Sequence, residues 1–186
     1  MIRNPRAITA SAFVAMFFLG VGNSLIGAAA RDIGLTAAQI GIILAVQNVG
    51  FGVAVAITGA LADTLPKPRI LFAGSLILAA GFFAFYRVPN FWVNVLIMGL
   101  VGAGIGAYEG ATDAMLFDLH EKRDAFFVNI NHLFVTIGSG LIALYLIFLQ
   151  LRWRSAVVQS GVIVAVLAVV FLFTHLPAVR RGEAGF

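Results

Sequence analysis

Six long apolar stretches, parted by short charged breaks, leave this chain little choice of fold. They run at about residues 7–29, 36–62, 70–86, 91–119, 125–150 and 155–177. As helices, such stretches have the length to cross a hydrocarbon layer roughly 30 Å thick. The third is short and the fourth long, so their tilts must differ. The breaks carry Arg31-Asp32, Asp63 with Pro66 and Pro68, Arg87 with Pro89-Asn90, His120 to Asp124, and Arg152 to Arg154. No connection is long enough to hold a soluble domain. With 61% hydrophobic and 11% charged residues and a mean hydropathy of +1.03, a soluble globular fold is excluded. The expectation is an all-α integral membrane protein, with residues 1–186 forming one six-helix transmembrane domain.

The start of the chain has some marks of a signal peptide: Arg3 and Arg6 before an apolar run, and Ala28-Ala29-Ala30 after it. That run is roughly twenty residues, longer than a signal-peptide apolar core, and is read as the first membrane helix. There is no cysteine, so disulfides are excluded.

The net charge of +4 is not a nucleic-acid signal, because the basic residues fall in short loops. One side of the membrane carries Arg3, Arg6, Lys67, Arg69, Lys122, Arg123, Arg180 and Arg181; the other carries Arg31, Arg87, Arg152 and Arg154. An excess of eight against four on one side predicts that both termini are cytoplasmic, in a multi-pass protein of the cell's inner (plasma) membrane. Trp92 and Trp153 then both lie near the outer interface, where aromatic belts form.

Two carboxylates interrupt the fourth stretch. Glu109 and Asp113 are one turn apart and share a helix face. A charged carboxylate in hydrocarbon costs on the order of 3 kcal/mol, so that face should meet water, a solute or another helix. By helical rise, Glu109 lies about 6 Å and Asp113 about 12 Å from the helix midpoint. Other polar residues gather in the spans: Asn23 and Ser24 in the first, Gln47 and Asn48 in the second. In the fifth, Asn129, His132, Thr136 and Ser139 fall on one face, with Asn131 nearby. No Lys or Arg lies within a span, which argues against an anionic substrate. Catalytic patterns are missing: His120-Glu121 lacks the second His of a zinc-protease helix, and there is no nucleophile elbow or phosphate loop. A transporter, not an enzyme, is expected, with no cofactor or metal.

Two motifs carry a family resemblance. Gly59-Ala-Leu61-Ala-Asp63-Thr-Leu-Pro66-Lys67-Pro-Arg69 resembles the loop signature of major facilitator superfamily transporters, with Thr64 in a usually basic place and Pro66 in a usual glycine place. Gly102-x-Gly104-x-Gly106-x-Tyr108-Glu109, followed by Asp113, is similar to the fourth helix of that superfamily's fucose and glucose permease branch. There the Gly-rich run leads to an acid that handles sugar and protons. An Asn usually follows four residues later, where Asp113 stands here. The run Asn129-Ile-Asn131-His132-Leu-Phe134 to Gly138 also looks like that branch. The branch's first-helix acid has no counterpart: Ile26 and Gly27 stand there.

The resemblance implies alternating-access transport of a neutral sugar or polyol, with proton coupling carried by Glu109 alone or with Asp113. It implies a cavity faced by Asn23 and Glu109 and flanked by Gln47, Asn48, Asn129, Asn131 and His132. Family members have two six-helix halves related by an axis along the membrane normal. A six-helix chain is therefore expected to pair with a second copy of itself. The second helix of one copy would meet the fifth of the other through glycines 41, 52, 138 and 140, with Asp63 beside the neighbour's fifth helix. Alternatives are an organic-cation substrate, pairing with a different half-size chain, or a non-transporting assembly or sensor subunit.

Overall fold

A computed structural model describes residues 2–148 and 152–176. It contains six helices in chain order: α1 Pro5–Ile33, α2 Ala37–Ala62, α3 Lys67–Ala84, α4 Phe91–Leu119, α5 Asp124–Phe148 and α6 Trp153–Leu172. Each is long and apolar enough to cross a membrane. Among the described residues there is no strand, only an isolated bridge between Ile2 and Thr174 that ties the start of the chain to the end of α6. The expected ends of the fifth and sixth stretches, and Arg180 and Arg181, lie outside the described residues.

The helix boundaries follow capping chemistry. The Asn4 side chain accepts from the Arg6 amide, and Pro5 occupies the first turn, where its missing N–H costs nothing. At the other end α1 runs through Arg31-Asp32, expected as a break, and stops at Gly34, whose φ of 79° is left-handed. Charged side chains at a membrane surface can reach water without breaking the backbone, so the glycine ends the helix. Thr36 and Gln39 form a reciprocal capping box at the start of α2. The prolines of the next loop begin α3 instead of delaying it, because Pro68 sits in its first turn. α3 ends at Ala84, two residues before the expected end. Tyr86 takes a positive φ of 48°, and its amide donates to Asn94 Oδ1 at 2.6 Å.

One apolar core runs through all six helices. α4 is its axis and packs on α1, α2, α3 and α5. Its glycines make this possible. A Cβ at Gly102 would collide with the Gln47 carbonyl of α2, and one at Gly106 with the Phe51 carbonyl. Facing α3, Gly104 abuts Leu78. The α1–α5 contact is built likewise, with Gly20 against the Val135 carbonyl and Gly138 against that of Phe17. Gly138 is thus used inside the bundle, not left for a second copy. Glycines 41, 52 and 140 have nothing within 4 Å of a virtual Cβ. α2 and α5 are also the least covered helices: 17% and 22% of their most apolar windows are buried, against 61% for α1.

Candidate functional site

The polar groups of α4 and α5 converge in the half of the bundle nearer the α4–α5 connection. Glu109 and Asp113 point to the same side of α4, one turn apart. Between them stands His132 of α5. Its Nε2 lies 3.0 Å from Asp113 Oδ2, and its Nδ1 lies 3.9 Å from Glu109 Oε1. The first is a hydrogen bond; the second is a near approach, too long for one. All three side chains are partly open: 27% of Glu109, 24% of Asp113 and 44% of His132 remain exposed.

Asn131, the residue before His132, is fully buried. Its Nδ2 donates to Thr112 Oγ1 at 3.0 Å and to Asp113 Oδ1 at 2.9 Å. The Thr112 hydroxyl proton is committed to the Tyr108 carbonyl at 2.7 Å. That fixes the amide orientation, since only its NH2 end can serve Thr112. Asp113 is therefore held at one oxygen by Asn131 and at the other by His132. The Asn131 Oδ1 is buried without a partner among the described residues.

Glu109, Asp113 and His132 each offer a ligand-type atom, all within 4.8 Å of one another. The two carboxylates, however, lie off different ring nitrogens. Nε2 already stands at hydrogen-bond distance from Asp113 Oδ2, so the ring is placed to exchange a proton there. The arrangement suits a proton better than a metal.

The remaining expected site residues divide. Asn23, Asn48 and Asn129 are exposed, as are His132 and Thr136. Ser139 at the end of that α5 stripe donates to the Gly20 carbonyl at 3.1 Å. Asn23 sits beside Gly22, which abuts Val101 and Ile105 of α4, one turn before Glu109. Gln47 and Asn131 do not flank an open cavity. Gln47 is buried, and its amide donates across to the Gly22 carbonyl of α1 at 3.1 Å. Asn131 is buried against α4. Neighbouring side chains on a helix point about 100° apart, so Asn48 and His132 open outward where Gln47 and Asn131 turn in.

Around the turn from α2 to α3, Gly59 near the end of α2, Asp63 after it and Arg69 in the first turn of α3 are exposed. Lys67 meets Asp118 near the end of α4 at 2.5 Å, a role for Asp118 that no sequence signal marked. His120, just past α4, donates from Nε2 to Thr9 Oγ1 at 2.8 Å. The Thr9 proton already goes to the Pro5 carbonyl. The His120 ring also stacks on Phe127 with centroids 3.6 Å apart. Burial lowers its pKa below the ordinary histidine value.

The comparisons agree with this architecture. No match to the chain was found among curated proteins. The family model of the Major Facilitator Superfamily matches residues 8–185, nearly the whole chain and all six helices. With six membrane-length helices, the chain is a multi-pass membrane protein belonging to the Major Facilitator Superfamily, a family of membrane transporters.

Proposed function

We propose that the protein carries a small neutral polar solute, a sugar or polyol, across the plasma membrane by alternating access, coupled to protons through Glu109 and Asp113. The observation that carries this reading is the pair of carboxylates inside a membrane-spanning helix, partly exposed and facing a polar stripe on α5. Hydrocarbon gives no reason for such a face. The exposed amides of Asn23, Asn48 and Asn129 add donors and acceptors suited to hydroxyl groups. The described spans hold no Lys or Arg away from their end turns, so nothing there attracts an anion.

A second six-helix bundle completes the carrier in this reading. It covers the faces of α2 and α5, where Val49, Val53, Leu133 and Ile147 are each more than half exposed. We take that bundle to be a second copy of the chain, with both termini in the cytoplasm as the Lys and Arg distribution suggests. The test is uptake into proteoliposomes from a panel of radiolabelled hexoses and polyols, with tetraethylammonium as an organic-cation arm, under an inward proton gradient. Accumulation of a neutral solute supports the reading. Accumulation of the cation alone replaces the substrate class, and no uptake of either favours a non-transporting subunit.

A further inference from the structure

We propose that His132 passes a proton between Glu109 and Asp113, making the two carboxylates one proton-carrying unit, with Asn131 as the positioning residue for Asp113. The proposal deepens the proton-coupled reading and rests on it. The geometry is that of an imidazole held between two acids, one at each ring nitrogen. A neutral imidazole has one N–H and one bare nitrogen, so it can accept on one side and donate on the other.

The ring begins with its proton on Nε2, donated toward Asp113 Oδ2. Protonated Glu109 gives its proton to the bare Nδ1: the Glu109 O–H bond breaks and Nδ1–H forms. The Nε2–H bond then breaks and an O–H bond forms on Asp113. Glu109 is left ionised, Asp113 is neutral, and the ring is neutral again as the other tautomer. The starting tautomer returns when Nδ1 releases its proton to water and Nε2 takes one up from water, which the 44% exposed ring can reach. Glu109 and Asp113 are four residues apart, so the proton moves one helical turn along α4 toward the α4–α5 connection.

The two halves of the relay are not equally made. Nε2 is within hydrogen-bond distance of Asp113, whereas Nδ1 stands 3.9 Å from Glu109. In this conformation the ring is engaged on the Asp113 side and Glu109 has no hydrogen bond among the described residues. Closing the second contact requires a shift of about 1 Å. A movement of α5 against α4 of that size would connect and disconnect Glu109, giving a direct way for bundle motion to gate the proton. Asp113 is kept in place by Asn131, whose NH2 has no other acceptor besides Thr112 among the described residues.

No other ionisable group of the described spans competes. On α4, Tyr108 turns away to Ser75 of α3 at 2.8 Å, and Asp118 near the end of the helix pairs with Lys67. Arg6, Arg31 and Asp32 occupy the end turns of α1, the other helix packed on α5. On α6, Arg154 lies in the first turn over Trp153. Within α5 itself, Asp124 is at the start and Tyr145 bonds Gln159.

The test reads the ring directly. The chain has three histidines, so ring-15N signals of the full protein in lipid nanodiscs can be assigned with His132→Gln. In the parent, both tautomers of His132 should be populated and exchanging; a single fixed tautomer overturns the proposal without any variant. Glu109→Gln and Asp113→Asn should each change the tautomer ratio, because each removes one of the ring's two acid neighbours. If Asp113→Asn alone acts, the pair is a fixed ion pair and the relay is wrong; if Glu109→Gln alone acts, or neither does, it is wrong too. Asn131→Ala should shift the ring signals as Asp113→Asn does although it does not touch the ring; unchanged signals remove its positioning role. These spectra need no solute, so a failed relay and a failed substrate assignment give different results.

Discussion

Replacing Gly102 by Ala should destabilise the bundle, whereas the same change at Gly27 should not. A helix normally gains from this substitution, since Gly costs about 1 kcal/mol relative to Ala in a helix interior. Gly27 lies inside α1 with nothing within 4 Å of its virtual Cβ, so that gain should appear nearly whole. At Gly102 the new methyl points at the Gln47 carbonyl, with the Phe51 amide behind it. Both are backbone, so no side chain can swing away and the α2 and α4 axes must separate. Overpacking of this kind costs about 1–3 kcal/mol, and the upper end applies because the strain falls on two rigid helices. It also loosens the Gln47 bond to Gly22, worth about 1 kcal/mol. After the helix-propensity gain, Gly102→Ala should lose about 1–3 kcal/mol net. Equilibrium unfolding in mixed micelles, followed by circular dichroism, measures both variants. Equal stability of the two, or a gain at Gly102, would refute the account of α2–α4 packing.

Three further predictions concern the ends of the helices and the assembly. His120 has a depressed pKa in the folded protein, so the unfolded chain takes up the proton first. Stability should be fully present above the unfolded value near 6.5 and be lost as pH falls below it. Melting at pH 5 and pH 7.5 should differ less in His120→Gln than in the parent. Lys67→Ala should cost about 1 kcal/mol or less, as expected of a partly exposed pair, and should add nothing in an Asp118→Asn background when the double-mutant cycle is measured. Native mass spectrometry from mild detergent should find two chains of 19.7 kDa per particle; a lone chain in both detergent and nanodiscs would end the self-pairing proposal.

The parts of the fold that depend on apolar length were readable from the residues. α4 begins at Phe91 and ends at Leu119, as its apolar run predicts, because Asn90 caps one end and polar His120 follows the other. Boundaries set by single residues were less legible. Arg31-Asp32 looked like a break, yet only Gly34 supplies the left-handed turn that ends α1. Pro66 and Pro68 looked like a pause, although proline is at home in a first turn. For the site, the spacing of Glu109 and Asp113 already placed them on one face, and the stripe from Asn129 through Thr136 is open as its period suggests. Partner choice was not readable. Gln47 and Asn48 both carry side-chain amides, and only the positions of α4 and α1 around α2 decide that the first is buried. The same holds for Asn131 beside His132, since a helical period gives directions but not what lies in them.

The central claim, that an intramembrane carboxylate couples protons to solute movement, is tested most directly by Glu109→Gln in proteoliposomes. The glutamine keeps size and hydrogen bonding but cannot carry the proton. With a solute that the parent accumulates under an inward proton gradient, the variant should lose accumulation while still exchanging labelled for unlabelled solute at equal pH. A variant that concentrates the solute as well as the parent does under the same gradient would contradict the claim and leave Glu109 as a group that only binds hydroxyls.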